Sequence, residues 1–73
     1  MNEYKDLDDL IVITLRMRPR GFTDLSVCPS INEEMQRIAK LTNRKAFRIL
    51  DGRLSALRKS GNIYTMNRKW HAS

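Results

Sequence analysis

The apolar positions of this chain fall into helical spacing over three stretches and into a strand-like run over one. From Lys5 to Met17, Leu7, Leu10, Ile11 and Thr14 recur at intervals of three and four, which places them on one face of a helix. Pro19 ends that helix, because its ring disfavours helical geometry in the residue before it. The β-branched run Ile11, Val12, Ile13 and Thr14 also suits a strand, and pattern alone does not separate the two. Pro19 to Ser30 reads as a connector, with Arg20-Gly21 as a turn signal and Phe22, Leu25 and Val27 as anchors of a loop or very short strand.

Ser30 and Glu33 have the spacing of a capping box, in which each side chain satisfies a backbone amide that the first turn leaves unbonded. A second, short helix is expected to start there, with Met35, Ile38 and Ala39, and Leu41 at its end, supplying a buried stripe. Thr42 and Asn43 then interrupt it and cap a third helix running from Arg44 to Ser60. Phe47, Leu50, Leu54 and Leu57 form the buried stripe of that helix. Arg44, Arg48, Asp51, Ser55 and Lys59 fall opposite, with Lys45 and Gly52 at the edge. Gly61-Asn62 supplies a helix stop. The strand formers Ile63-Tyr64-Thr65-Met66 then lead through a tight Asn67-Arg68 turn, lacking the usual glycine, into a return along Lys69, Trp70 and His71. Trp70 is expected to cover the end of the core, with Tyr64 facing outward. The expected fold is mainly α with a small β-hairpin. The chain has 73 residues, 41% of them hydrophobic, which suits a single domain over residues 1–73 built round one core.

Charge changes the picture more than composition does. The net charge is +6, but residues 1–34 carry four basic and seven acidic side chains, whereas residues 35–73 carry ten basic ones against Asp51 alone. Solubility does not require such segregation, and a face turned toward phosphates does. Asp51 within that basic stretch is expected to pair with Arg48 or Lys45, or to accept from a cytosine amino group. Gly52 costs a helix roughly 1 kcal/mol relative to alanine, so it is either a tolerated surface residue or a point where phosphate or a partner backbone comes close.

Other chemistries find little support. Cys28 is the only cysteine and His71 the only histidine, so neither an internal disulfide nor a zinc ligand set is expected. Asp8-Asp9 and Glu33-Glu34 are sequence neighbours, which diverge by about 100° on a helix and do not form a general acid/base pair. No phosphate-cradling glycine loop or nucleophile motif is present, so neither enzymatic activity nor a cofactor is expected. The leading acids Glu3, Asp6, Asp8 and Asp9 are unlike a signal peptide, and the apolar run Leu10 to Leu15 is far shorter than the ~20 residues of a membrane span. With a lone thiol, a cytoplasmic location and no membrane association are expected.

Taken together, Ile38-Ala39, Leu41, Phe47, Leu50, Leu54, Leu57, Gly61, Ile63 and Trp70 resemble the winged helix-turn-helix family of bacterial and phage regulators. The resemblance covers the C-terminal half, and the whole chain if Lys5 to Met17 is the family's first helix. It implies a three-helix winged helix-turn-helix domain whose recognition helix lies in the major groove while the hairpin wing touches flanking backbone or minor groove. Asn43, Arg44, Lys45 and Arg48 would match the N-terminal part of the recognition helix, and Arg68 with Lys69 the wing tip. The chain departs from the family in a long interval between Leu41 and Leu50 and in a short wing. An extended turn, or a recognition helix that begins early, would accommodate that interval.

The residues support the same function without the family. Arginines on the free side of a groove-sized helix can reach guanine O6 and N7, and the remaining cations can neutralise phosphates. Arg44 and Arg48 are the candidates for base edges. Asn43, by the resemblance, and Lys45, Ser55, Lys59, Arg68 and Lys69, by their chemistry, complete a DNA-binding set whose partner is double-stranded DNA. The expected function is a small transcriptional regulator, with homodimerisation a further possibility. Two other readings stay open: a winged-helix interaction module docking an acidic protein partner, and an RNA or single-strand binder that stacks bases on Tyr64 and Trp70.

Overall fold

The computed structural model of the protein describes residues 4–73; Glu3, one of the leading acids, lies outside them. Among the described residues there are four helices and one two-stranded antiparallel hairpin, a mainly helical fold with the expected small β element. Helix α1 spans Lys5–Met17 and buries Leu7, Ile11, Thr14 and Leu15. Past Pro19 the chain is extended, and Arg20 forms an antiparallel bridge to Trp70. The Arg20 N–H donates to Trp70 O at 3.1 Å and the Trp70 N–H donates to Arg20 O at 2.7 Å.

The connector is more structured than its composition suggests, because Phe22–Ser26 forms a short helix, α2. Five residues are too few to hold a helix by themselves. Full burial of Leu25 anchors it, at about 2 kcal/mol for a leucine taken out of water, while Phe22 and Val27 stay exposed.

Helix α3 spans Pro29–Thr42 and starts one residue ahead of the expected Ser30, with Pro29 in the first turn, where its missing N–H costs nothing. The capping box does not form: Cys28 occupies the cap position and no side chain caps the helix. The buried stripe is Ile31, Met35 and Ile38, and Leu41 is 66% exposed because it lies off that stripe. Asn43 takes a left-handed conformation (φ 55°) and stops the helix. It therefore ends α3 rather than capping the next helix.

Helix α4 spans Ala46–Lys59, two residues later than expected, so the link from α3 is Asn43, Arg44 and Lys45. The interval counted from Leu41 overstated the turn because Leu41 is not a core residue. The buried side of α4 is Ile49, Leu50, Leu54 and Leu57, and Phe47 is 54% exposed. Relative to the expected stripe the helix is rotated by roughly 40°, counted at about 100° per residue. A contact from α1 accompanies this rotation. Arg53 reaches across with Nε donating to Asp8 Oδ1 at 2.9 Å and Nη2 donating to Asp8 Oδ2 at 2.7 Å, and its guanidinium sits 4.8 Å from the Tyr4 ring centroid. The fork lies on the same edge of α4 as the buried Ile49, and Phe47 lies on the opposite, exposed edge.

At the end of α4, Gly61 (φ 85°) allows its own N–H to reach Arg58 O at 3.1 Å and that of Asn62 to reach Leu57 O at 3.0 Å, a Schellman closure. Strands β1, Ile63–Met66, and β2, Lys69–Ala72, pair in the register Ile63↔Ala72 to Met66↔Lys69. Ile63 is buried and Trp70 packs against the core on the same face, whereas Tyr64, Met66 and Lys69 are exposed on the other. Asn67 (φ 54°) and Arg68 (φ 62°) both adopt left-handed backbone, as a two-residue type I′ turn requires. Asparagine tolerates this conformation, but for arginine it costs about 1 kcal/mol. No described helix is long and apolar enough to cross a membrane.

Two stability predictions follow from this packing. Asp8→Ala, which strands the half-buried Arg53, should lower unfolding free energy in urea by about 1–2 kcal/mol. Asp9→Ala, which removes an exposed pair with Lys5, should leave it close to wild type; equal losses would deny the Asp8 fork its role. Arg68→Gly should raise stability by up to about 1 kcal/mol through relief of the left-handed turn, read as a higher urea midpoint at constant slope.

Candidate nucleic-acid interface

The approach to α4 concentrates charge where the helix itself disfavours it. Arg44 and Lys45 lie in the turn before the helix rather than inside it, and Arg48 lies in its first turn. All three are exposed. No side chain caps this end and its first turn contains no acid. Unbonded amides give a helix N-terminus partial positive charge, so three cations there are a local conflict. Arg58 and Lys59, in the last turn, stand where the same dipole favours cations. Their presence needs no ligand.

The cations at the start of α4 are also unpaired. Among the described residues, neither Arg44, Lys45 and Arg48 nor Lys59, Arg68 and Lys69 make a side-chain hydrogen bond or ion pair; Arg48 instead sits 5.9 Å over the Phe47 ring. The basic residue committed to the fold is Arg53. Its hydrogen bonds to Asp8 raise its proton affinity further, against the opposing effect of burial. Sequence reading did not single out Arg53, because a partner 45 positions away leaves no local signature.

Two shallow hollows meet on this face. Arg44 and Arg48 line one with Tyr4, Ile49, Gly52 and Arg53. Phe22, Phe47, Arg48, Asp51 and Gly52 line the other. Gly52 borders both, and a Cβ built on it would meet nothing within 4 Å. The internal packing of the chain therefore does not require glycine there. Asp51 forms no ion pair among the described residues, so the expected bridge to Arg48 or Lys45 is absent, and its carboxylate stands on the open hollow instead.

The hairpin tip approaches this face through α2. A Cβ on Gly21 would lie 4.0 Å from Arg68 O, and Gly21 directly precedes Phe22, which borders the second hollow. Arg68 therefore lies against Gly21, one residue from the rim of the second hollow, and Asn43, Arg44, Lys45, Arg48, Arg68 and Lys69 are all exposed. Ser55 is half-buried further along α4, and Lys59 lies about 16 Å from Arg48 along the helix axis. Arg58, exposed and two turns from Asp51 on the same side, belongs with Lys59; helical spacing from Asp51 and Ser55 marks it in the sequence.

The aromatic residues of the hairpin do not form a joint platform. Tyr64 stacks on His71 with ring centroids 5.1 Å apart and an interplanar angle of 11°, while Trp70 faces the core on the opposite side. No three His, Cys, Asp or Glu side chains among the described residues are grouped to hold a metal ion. Compared with protein families, curated proteins and solved structures, the chain finds no match, and its functional reading rests on its own residues.

Proposed function

We propose that this chain is a winged helix-turn-helix domain that binds duplex DNA, with α4 as the recognition helix and the hairpin as a short wing. The observation that carries the reading is the cluster of Arg44, Lys45 and Arg48 at an uncapped helix N-terminus, without an acid in the first turn and without an ion-pair partner. A duplex resolves that conflict, because phosphate takes up the amide dipole and Lys45 while acceptors on the base edges take Arg44 and Arg48. The order of elements is compatible with it, with one helix more than the three expected: a first helix, an extended Arg20 bridge, the short helix α2, a helix pair joined by three residues, and a hairpin. Arg44 and Arg48 face base edges in this arrangement. Lys45, Arg68 and Lys69 contact backbone near the cluster, with Asn43 at its margin, and Ser55 and Lys59 contact it further along the groove. A small transcriptional regulator is the role that fits such a domain.

Duplex affinity measured against salt tests this directly. With four or five phosphates neutralised, log affinity should fall against log salt with a slope of about −4. Lys59→Ala should weaken all duplexes alike and reduce that slope by about 1, whereas Arg48→Ala should relax sequence preference. Absence of duplex binding at low salt would remove the reading and favour an acidic protein partner for the same cations.

Gly52→Ala provides a second test with opposite signs for fold and function. The methyl group meets no internal neighbour, so the helix should gain up to about 1 kcal/mol in urea unfolding. Duplex affinity should fall, because the same methyl obstructs approach to the floor between the hollows. A stabilised variant with unchanged affinity would place DNA away from this face.

A further inference from the structure

The hollow beside the start of α4 holds three unlike groups that have no use within the fold. Phe47 exposes an aromatic ring that core packing leaves outside. Arg48 holds its guanidinium over that ring at 5.9 Å with its donors unused among the described residues. Asp51, one turn further, presents an unpaired carboxylate on an otherwise basic face. An acid there is repelled by phosphate whatever the base sequence. It becomes favourable only opposite a donor, and the donors available in the major groove are the amino groups of cytosine and adenine.

Apolar surface, a fork of donors and a single acceptor have a counterpart on the edge of two adjacent base pairs. Thymine presents a C5-methyl group, guanine presents O6 and N7, and the cytosine paired with that guanine presents its N4 amino group. Resting on the duplex-binding reading above, we infer that the Phe22–Phe47–Arg48–Asp51 hollow reads a thymine-guanine step. Phe47 covers the thymine methyl, Arg48 takes guanine O6 and N7, and Asp51 accepts from the paired cytosine. Phe22, from α2, closes the apolar rim. Gly52 keeps the floor free of a side chain, so the base edges can approach the helix. The Phe47–Arg48 contact lies near the ≈ 6 Å limit of a cation–π pair, which aims the guanidinium without engaging its hydrogen-bond donors.

The test begins with the full chain and a pool of randomised duplexes at low salt, from which bound duplexes are recovered and one enriched duplex is chosen. Thymines in it are then replaced singly by deoxyuridine, which removes only the C5-methyl group. Replacement at one position, 5′ to a guanine, should weaken wild-type binding about fourfold, the effect of one methyl group returned to water. Phe47→Ala should lose a similar factor on the thymine duplex and show no further loss on the deoxyuridine duplex. Asp51→Asn should bind random duplex more tightly than wild type while losing part of its preference for the enriched one. Duplex binding with no deoxyuridine-sensitive position, or equal deoxyuridine losses in wild type and Phe47→Ala, would overturn this inference and leave the duplex-binding reading standing. No binding to any duplex in the pool would remove both.

Discussion

The bidentate pair between Arg53 and Asp8 governs the orientation of the helix on which the functional reading depends. Helix α4 packs mainly against α3 and β1, and α1 against α3 and β2; α1 and α4 meet through the shared apolar core and through the Arg53–Asp8 fork. Apolar burial alone is permissive about rotation, because Phe47 and Ile49 would each fill a core edge. Two short charge-assisted hydrogen bonds, partly screened from water and backed by Tyr4, admit less freedom. They bring Ile49 into the core and turn Phe47, Arg48 and Asp51 outward together. The fold has no disulfide to impose this arrangement, since Cys28 is the only cysteine.

What was legible in the sequence follows from the range of the interactions. Helix α1, the hairpin and the extent of α4 to within two residues are set by local periodicity, Pro19, Gly61 and the strand formers, all visible nearby in the chain. The rotation of α4 was not legible, because it comes from a partner on another helix. Leu41 misled for a related reason: it is apolar and lies next to the stripe, but the arc of α3 that meets α4, α1 and α2 is filled by Ile31, Met35 and Ile38. Helix α2 escaped notice because a five-residue helix exists only through the burial of Leu25. The candidate site was more legible than the core beneath it. Arg44, Lys45, Arg48, Arg68 and Lys69 are charged and therefore exposed under almost any rotation. The exposed ring beside Arg48 and the unpaired state of Asp51 required the structure.

Several features of this face work against local stability. Arg68 holds a left-handed backbone that glycine adopts more readily, Gly52 weakens a helix without any internal contact demanding it, and three cations crowd a positive helix end. A 73-residue chain with one core has little surplus stability to offset such terms. Scattered over the surface they would be ordinary tolerance. Here Gly52 and Arg48 line the same hollow, and Arg68 lies against Gly21, the neighbour of that hollow's Phe22. Sequences depart from local rules most readily where function supplies a compensating interaction, and an anion is the one compensation common to the charged members of this set.

The opposite charge has its own location. Asp6, Asp9, Glu33 and Glu34 line a hollow between α1 and the start of α3, with Glu34 held as a carboxylate by its hydrogen bonds from Arg37. The molecule thus has an acidic region and a basic one rather than a uniform net charge of +6. A uniformly positive protein would approach DNA in any orientation, and many encounters would present the wrong face. On the proposed duplex-binding reading, a charge-separated protein would experience a torque in the field of the duplex that favours presentation of its basic residues. That torque acts over about one Debye length, roughly 8 Å at physiological salt, so it orders the final approach rather than long-range capture. On that reading the acids of this hollow would act by repulsion from phosphate, without lying among the basic residues of the proposed interface.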